Sequence, residues 1–188
     1  MLVNPKGTAE GELTCAYCDC DYCGVSGKEK LSSSTRVLTR LTESIPESSG
    51  EVGDNISIDA ILAAAKVLKA HIQANNALPD YVIVNDEQYT LSQFLYLMSK
   101  AIGNINDGNL GNITVVGASS PGTPNGDKIS TNINKTEYLD VASRVSQYII
   151  SNGQAPNYAS SSAGKISYAD LLDAFSRILA YYADNSKT

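Results

Sequence analysis

Asn132 follows Asn55 by 77 residues, and from these two positions the chain repeats itself without a gap. Ile56 matches Ile133, Leu62 matches Leu139, Ala65 matches Ala142 and Ile72 matches Ile149. Asn75, Pro79 and Tyr81 match Asn152, Pro156 and Tyr158, and Leu95 and Ser99 match Leu172 and Ser176. Where identity is lost, apolar character is kept: Leu68 with Val145, Phe94 with Leu171, Met98 with Phe175, Ile102 with Leu179. A self-match of this length means that one supersecondary unit is written twice. It also constrains the fold. Burial stabilises by only about 25 cal/mol per Å², and a single unit of this size removes too small a share of its surface from water. The two copies are therefore expected to pack on one another, as a helical domain with a pseudo-twofold relation.

Within the first copy, Ile58, Ile61, Leu62, Ala65, Leu68 and Ile72 recur at helical spacing. Asn55 or Ser57 can cap the start of this helix, and Asn75-Asn76 with Pro79 stops it. The stretch "YVIV" after Pro79-Asp80 then reads as a short strand. Thr90 caps a second helix with Leu91, Phe94, Leu95, Met98 and Ile102 on one face, and Gly103 is expected to close it. The second copy has a first helix "NKTEYLDVASRVSQYIIS", stopped by Asn152-Gly153, and a second, "SYADLLDAFSRILAYYAD", started by Ser167. There "ASSSAGK" replaces "VIVNDEQ", which predicts a weaker strand and a looser connection. The expected fold class is mainly α: two tandem helix–turn/short strand–helix repeats packed together, with a small Cys-rich N-terminal segment.

Five segments follow from composition. Residues 1–31 hold all four cysteines; residues 32–54, rich in Ser, Glu and Gly, read as a linker. Residues 55–104 and 132–184 are the two copies. Residues 105–131, dense in Gly, Asn, Ser and Pro, read as a connector with room for a short strand at Ile113–Val116. Charged residues make up 18% of the chain and the net charge is −6, which argues against a nucleic-acid surface of clustered Lys and Arg. No apolar run is long enough to cross a bilayer, so no membrane partner is expected. No secretory signal is read at the N-terminus.

The repeated signature places His71-Ile72, Asn75, Pro79 and Tyr81 in the first copy against Tyr148-Ile149, Asn152, Pro156 and Tyr158 in the second. Each is followed by Thr or Ser leading into a helix with Leu95 and Ser99, or Leu172 and Ser176. This pattern resembles the pseudomurein-binding repeat, over a little more than half of the chain. It departs from it at Ala155, where the first copy has Leu78, and in lacking an apolar strand after Tyr158. The resemblance implies a role in attaching proteins to pseudomurein, the peptidoglycan-like wall of some methane-producing archaea. It makes Asn75, Pro79, Tyr81, Asn152, Pro156 and Tyr158 the candidate wall-binding residues. Tyrosine offers a flat apolar face to a sugar ring and a hydroxyl to its oxygens; asparagine gives both donor and acceptor. The same residues have plain structural uses: the prolines as helix stops, the asparagines as C-caps, the tyrosines as core. Wall-lytic relatives carry the repeats beside a cysteine peptidase domain with a Cys-His-Asp triad. Here His71, the only histidine, lies inside a repeat, and the cysteines form one N-terminal cluster, so no enzyme is expected.

That cluster is Cys15-x-x-Cys18-x-Cys20-x-x-Cys23. Two C-x-x-C knuckles supply four thiolates, a tetrahedral set for a structural Zn²⁺, although a single residue, Asp19, separates them. A disulfide-linked knot is the rival reading, and a reduced cluster without a role is the third. "GVSGK" at 24–28 is not a phosphate loop, because its glycine spacing is wrong and Glu29 stands where Ser or Thr is needed. The resulting expectation is a non-catalytic pseudomurein binder whose N-terminal segment attaches it to a protein partner. It would sit at the cell wall or the virion surface, as a wall-anchored or virus or prophage tail-associated protein. The alternative is an intracellular protein-interaction module with a structural zinc knuckle.

Overall fold

The computed structural model describes residues 50–129 and 131–185. Cys15, Cys18, Cys20 and Cys23 lie outside the described residues, as does the linker up to residue 49. β1 (Asn55–Ile56) leads into α1 (Ile58–Asn75), a hairpin of β2 (Tyr81–Val84) and β3 (Glu87–Thr90), and α2 (Leu91–Asn106). The connector carries β4 (Ile113–Thr114). Then come α3 (Lys135–Asn152), a hairpin of β5 (Tyr158–Ser161) and β6 (Gly164–Ser167), and α4 (Tyr168–Asn185). The sheets are three antiparallel pairs: β1 with β4, β2 with β3 and β5 with β6. The class is mainly α with small sheets, and the helix–hairpin–helix order occurs twice.

Local chemistry accounts for the ends of the helices. The Ser57 hydroxyl accepts the Ala60 N–H at 3.2 Å, and the Asn134 side chain accepts the Glu137 N–H at 3.0 Å. Thr90 and Gln93 form a reciprocal capping box at the start of α2. α1 ends at Asn76 with φ 50°, and α3 at Gly153 with φ 61°. Both residues take the left-handed conformation that turns the chain and lets their N–H groups donate to the Ile72 and Ile149 carbonyls, each at 2.8 Å. Gly103 does not close α2. The helix runs on to Asn106, because Ile102 is buried and Ile105 packs on the core beyond the glycine. That anchorage outweighs the roughly 1 kcal/mol cost of an interior glycine.

The four helices pack crosswise. α1 lies chiefly on α4, α3 on α2, and α2 and α4 on each other, while contact between α1 and α2 of the same half is minor. Each first helix thus buries its apolar face on the second helix of the other half. The core they share includes the fully buried Ile61, Leu68, Leu95, Met98, Leu172 and Phe175. Ser99 and Ser176 are buried at matching places on the two central helices. Their hydroxyls donate to the Tyr96 and Asp173 carbonyls at 2.7 and 2.8 Å, so the small side chains sit in the core without an unmet polar group. The starts of α2 and α4 meet where the Ser92 and Tyr168 hydroxyls lie 3.1 Å apart.

Both hairpins close tightly, and the second is not the looser connection that its sequence predicts. Tyr81 pairs with Thr90 and Val84 with Glu87; Tyr158 pairs with Ser167 and Ser161 with Gly164. The ladder is backbone, so it does not need the valines of the first copy. Side chains clamp the second turn instead: Glu137 accepts the Ser162 N–H, and Asp127 accepts the Lys165 N–H at 2.8 Å. The turns differ. Asn85 and Asp86 both have positive φ, the pair that a two-residue hairpin turn favours, whereas in the second hairpin Gly164 takes φ 119°.

The connector is more than a spacer. Its backbone runs along the second half, with the Ser119 N–H donating to the Gly153 carbonyl and the Ala155 N–H donating back to Ser119, both at 2.9 Å. The Asp127 N–H then reaches the Lys165 carbonyl at 2.8 Å. The matching bond in the first half runs from the Gly50 N–H to the Gln88 carbonyl at 2.7 Å. Residues 50–54, expected as the tail of the linker, are therefore docked. Gly50 lies so close to the Tyr89 ring that a Cβ would overlap it. The Asp54 carboxylate stands 3.0 Å from the Tyr89 hydroxyl, and Glu87 is 2.9 Å from it.

Burial raises the pKa of Tyr89, Tyr96 and Tyr168 above the ordinary 10.0, and the Glu87 and Asp54 carboxylates raise Tyr89 further. Their neutral forms are thus favoured by folding. That stability is fully present below pH 10 and is lost as pH rises above it, because the unfolded chain releases these protons first. Denaturation midpoints measured from pH 8 to 11.5 are expected to hold to about pH 10 and then fall, with a slope of up to about 1.4 kcal/mol per pH unit for each tyrosine.

Candidate functional site

Strand alternation sets the position of the repeated tyrosines. Val82 and Val84 are buried, so Tyr81 and Ile83 must face outward, and Ala159 turns Tyr158 outward in the same way. Tyr81 is 39% and Tyr158 37% exposed. Each ring lies on the wall of a groove between the first helix of its half and the strand after the proline. The first groove has a volume of ≈ 490 Å³. α1 contributes Val67, Leu68 and His71, the turn Leu78, Pro79 and Asp80, and the strand Tyr81, Val82 and Ile83. The second, of ≈ 480 Å³, takes Arg144, Val145 and Tyr148 from α3, Pro156 and Asn157 from the turn, and Tyr158, Ala159 and Ser160 from the strand. Every residue lining the second groove has its counterpart 77 positions earlier in the first. The same recess is built twice.

The grooves share a shape and differ in polarity. In the first, Val67, Tyr81 and Ile83 give an exposed apolar lining beside His71 and Asp80. In the second, Arg144 donates to Asp140 and to the Ser160 carbonyl, both at 2.8 Å, and so stands across the mouth. The Lys165 amine sits 4.8 Å from the Tyr158 ring centroid, a cation–π contact. Asn157 is fixed by the connector, since its side-chain oxygen accepts the Thr123 N–H at 2.9 Å.

The six candidate residues divide between two tasks. Pro79, Tyr81, Pro156 and Tyr158 line the grooves. The Asn75 and Asn152 amides donate to the His71 and Tyr148 carbonyls, one turn back on their own helices, at 3.0 and 2.8 Å. Both asparagines hold the helix ends that carry the grooves, and neither is among the lining residues. His71 and Tyr148, which the repeat sets against each other, line the grooves, as do the missed positions Val67 and Arg144. Their signal was a helical one: positions 67 and 71, like 144 and 148, are one turn apart on the solvent face of a helix that the strand then covers. Among the described residues, no group of three His, Cys, Asp or Glu could hold a metal ion, and no helix is long and apolar enough to cross a membrane.

Comparison with known families places this geometry. A family model described as the pseudomurein-binding repeat matches residues 129–161. No curated protein and no solved structure matches the chain. The matched stretch runs from the end of the connector through α3 and β5, and it contains every residue that lines the second groove. Pseudomurein binding, and with it association with the cell wall, is the general function that this match supports. Residues 129–161 thus match the pseudomurein-binding repeat, the family that the sequence resembles.

Proposed function

We propose that the chain is a non-catalytic binder that holds pseudomurein in two grooves, the first being a second copy of the family's repeat. The observation that carries this reading is the pairing of the grooves. The family match contains the whole lining of one, and that lining recurs position for position in the other. The chemistry suits a polymer of sugars and short peptides. Tyr81, or Tyr148 with Tyr158, gives a ring face for stacking, with the proline as a rigid apolar wall beside it. Asp80 and Asn157 stand at the same place in the turn and offer hydrogen-bonding groups at the rim. Two modest sites on one rigid body gain avidity when the polymer presents repeated epitopes. The protein would act at the wall, either anchored there or as a virion tail-associated component, with the N-terminal segment joining it to a partner. Sedimentation with purified pseudomurein sacculi tests the proposal. The protein is expected to pellet with them and to stay in solution with murein; equal retention on both, or on neither, contradicts it.

The proposal extends to Cys15, Cys18, Cys20 and Cys23 as ligands of one structural Zn²⁺, four thiolates being a closed set that leaves no position for chemistry. Protein purified without chelator is then expected to carry about one zinc per chain and to expose its four thiols only after chelation. No metal, together with no titratable thiol after denaturation, would mean disulfides instead.

A further inference from the structure

A cleft of ≈ 870 Å³ lies apart from both grooves, at the end of the bundle where α2 and α4 finish. Its size falls within the roughly 300–1,000 Å³ of small-molecule sites. All four helices line it: Lys69 from α1, Ile105 from α2, Lys135 and Tyr138 from α3, Arg177 and Tyr181 from α4. Ile102 and Leu179 add buried apolar surface to the lining. The charge is unexpected for this chain. Acidic residues outnumber basic ones 20 to 14, yet three cations and no carboxylate line the cleft. Arg177 is neutralised by Asp173, at 2.9 Å. Lys69 and Lys135 have no ion pair among the described residues. Two ammonium groups without a counter-charge, above an apolar floor, favour an anion. The tyrosines add ring faces and hydroxyls, which suit a sugar ring better than a bare ion.

We propose that this cleft is a second binding site, independent of the grooves, for a saccharide that carries a carboxylate. The carboxylate would pair with Lys69 and Lys135, and the ring would lie against Tyr138 and Tyr181. Nothing in this depends on what the grooves bind. An amide-shift NMR titration of the full chain with sodium glucuronate tests it, with glucose and acetate as separate arms. Glucuronate is expected to move the signals of Lys69, Lys135 and Tyr181, and to bind roughly tenfold or more tightly than either control, because only it supplies both charge and ring. Added salt is expected to weaken it. The double variant Lys69→Gln/Lys135→Gln is expected to lose roughly tenfold or more in affinity, while Lys69→Arg/Lys135→Arg retains binding. Thermal melts of each variant confirm that the fold is kept. Equal response to glucuronate and glucose, equal binding of acetate, unchanged binding by the glutamine variant, or loss of binding in Tyr81→Ala/Tyr158→Ala would each overturn the proposal.

Discussion

Replacing Tyr81 and Tyr158 together by alanine is expected to abolish retention on pseudomurein while leaving the helical signal and thermal midpoint nearly unchanged. The rings stand on the outer faces of their strands, more than a third exposed, and the inward positions Val82 and Ala159 are untouched. The ladder bonds to Thr90 and Ser167 are made by backbone and survive. Truncation at Tyr158 also removes the contact with Lys165, which at an exposed site stabilises by about 0.5–1 kcal/mol. Binding is a different matter, because Tyr81 is the tyrosine that lines the first groove and Tyr158 shares the second with Tyr148. A single variant retains one site and loses the avidity of the pair, a drop of roughly 100-fold or more on a repetitive polymer. The double variant has neither ring. Sedimentation isotherms of both single variants and the double variant check this. A double variant that pellets like the unaltered protein would remove the tyrosines from the site.

The second large effect concerns folding. If the chain is divided in the connector, neither half is expected to fold alone, although each holds a complete helix–hairpin–helix unit. In the intact protein α1 buries its apolar face on α4 and α3 buries its face on α2. An isolated first half would expose Ile61, Leu68, Leu95 and Met98, all fully buried in the whole. Fully burying one such side chain stabilises by about 1.5–3 kcal/mol, and net stabilities are only about 5–15 kcal/mol, so losing several cannot be tolerated. Circular dichroism is expected to show little helix in either half and recovery of helix when the two are mixed. Independent cooperative melting of the separate halves would contradict the crosswise packing.

What could be read from the sequence follows from which signals are local. Helix spacing and caps act over one turn, so α1 to α4 and the caps Ser57, Thr90 and Ser167 were legible. The exposed tyrosines were legible as repeats, though not as exposed. That required knowing that the following residue, Val82 or Ala159, points inward. The β3 and β6 strands were missed, yet Asn85-Asp86 carried a turn signal that alternation of "YVIV" alone does not. Gly103 misled because a glycine stops a helix only when nothing beyond it is anchored. Asn75 and Asn152 misled in another way: their repetition reports a shared helix end, and the groove is lined by neighbours four and eight residues earlier. The crosswise helix pairing, the docking of residues 50–54 and the connector's path depend on contacts between distant segments, which no window of sequence contains.

Nitration of surface tyrosines, mapped by mass spectrometry on protein bound to pseudomurein sacculi and on free protein, tests the twin-groove account most directly. Tyr81, Tyr148 and Tyr158 are expected to react in the free protein and to be protected on the wall. The same mapping after mixing with murein sacculi reports general accessibility. Protection at Tyr81 and Tyr158 together is the predicted result. Bound protein in which both react as they do in solution would contradict it.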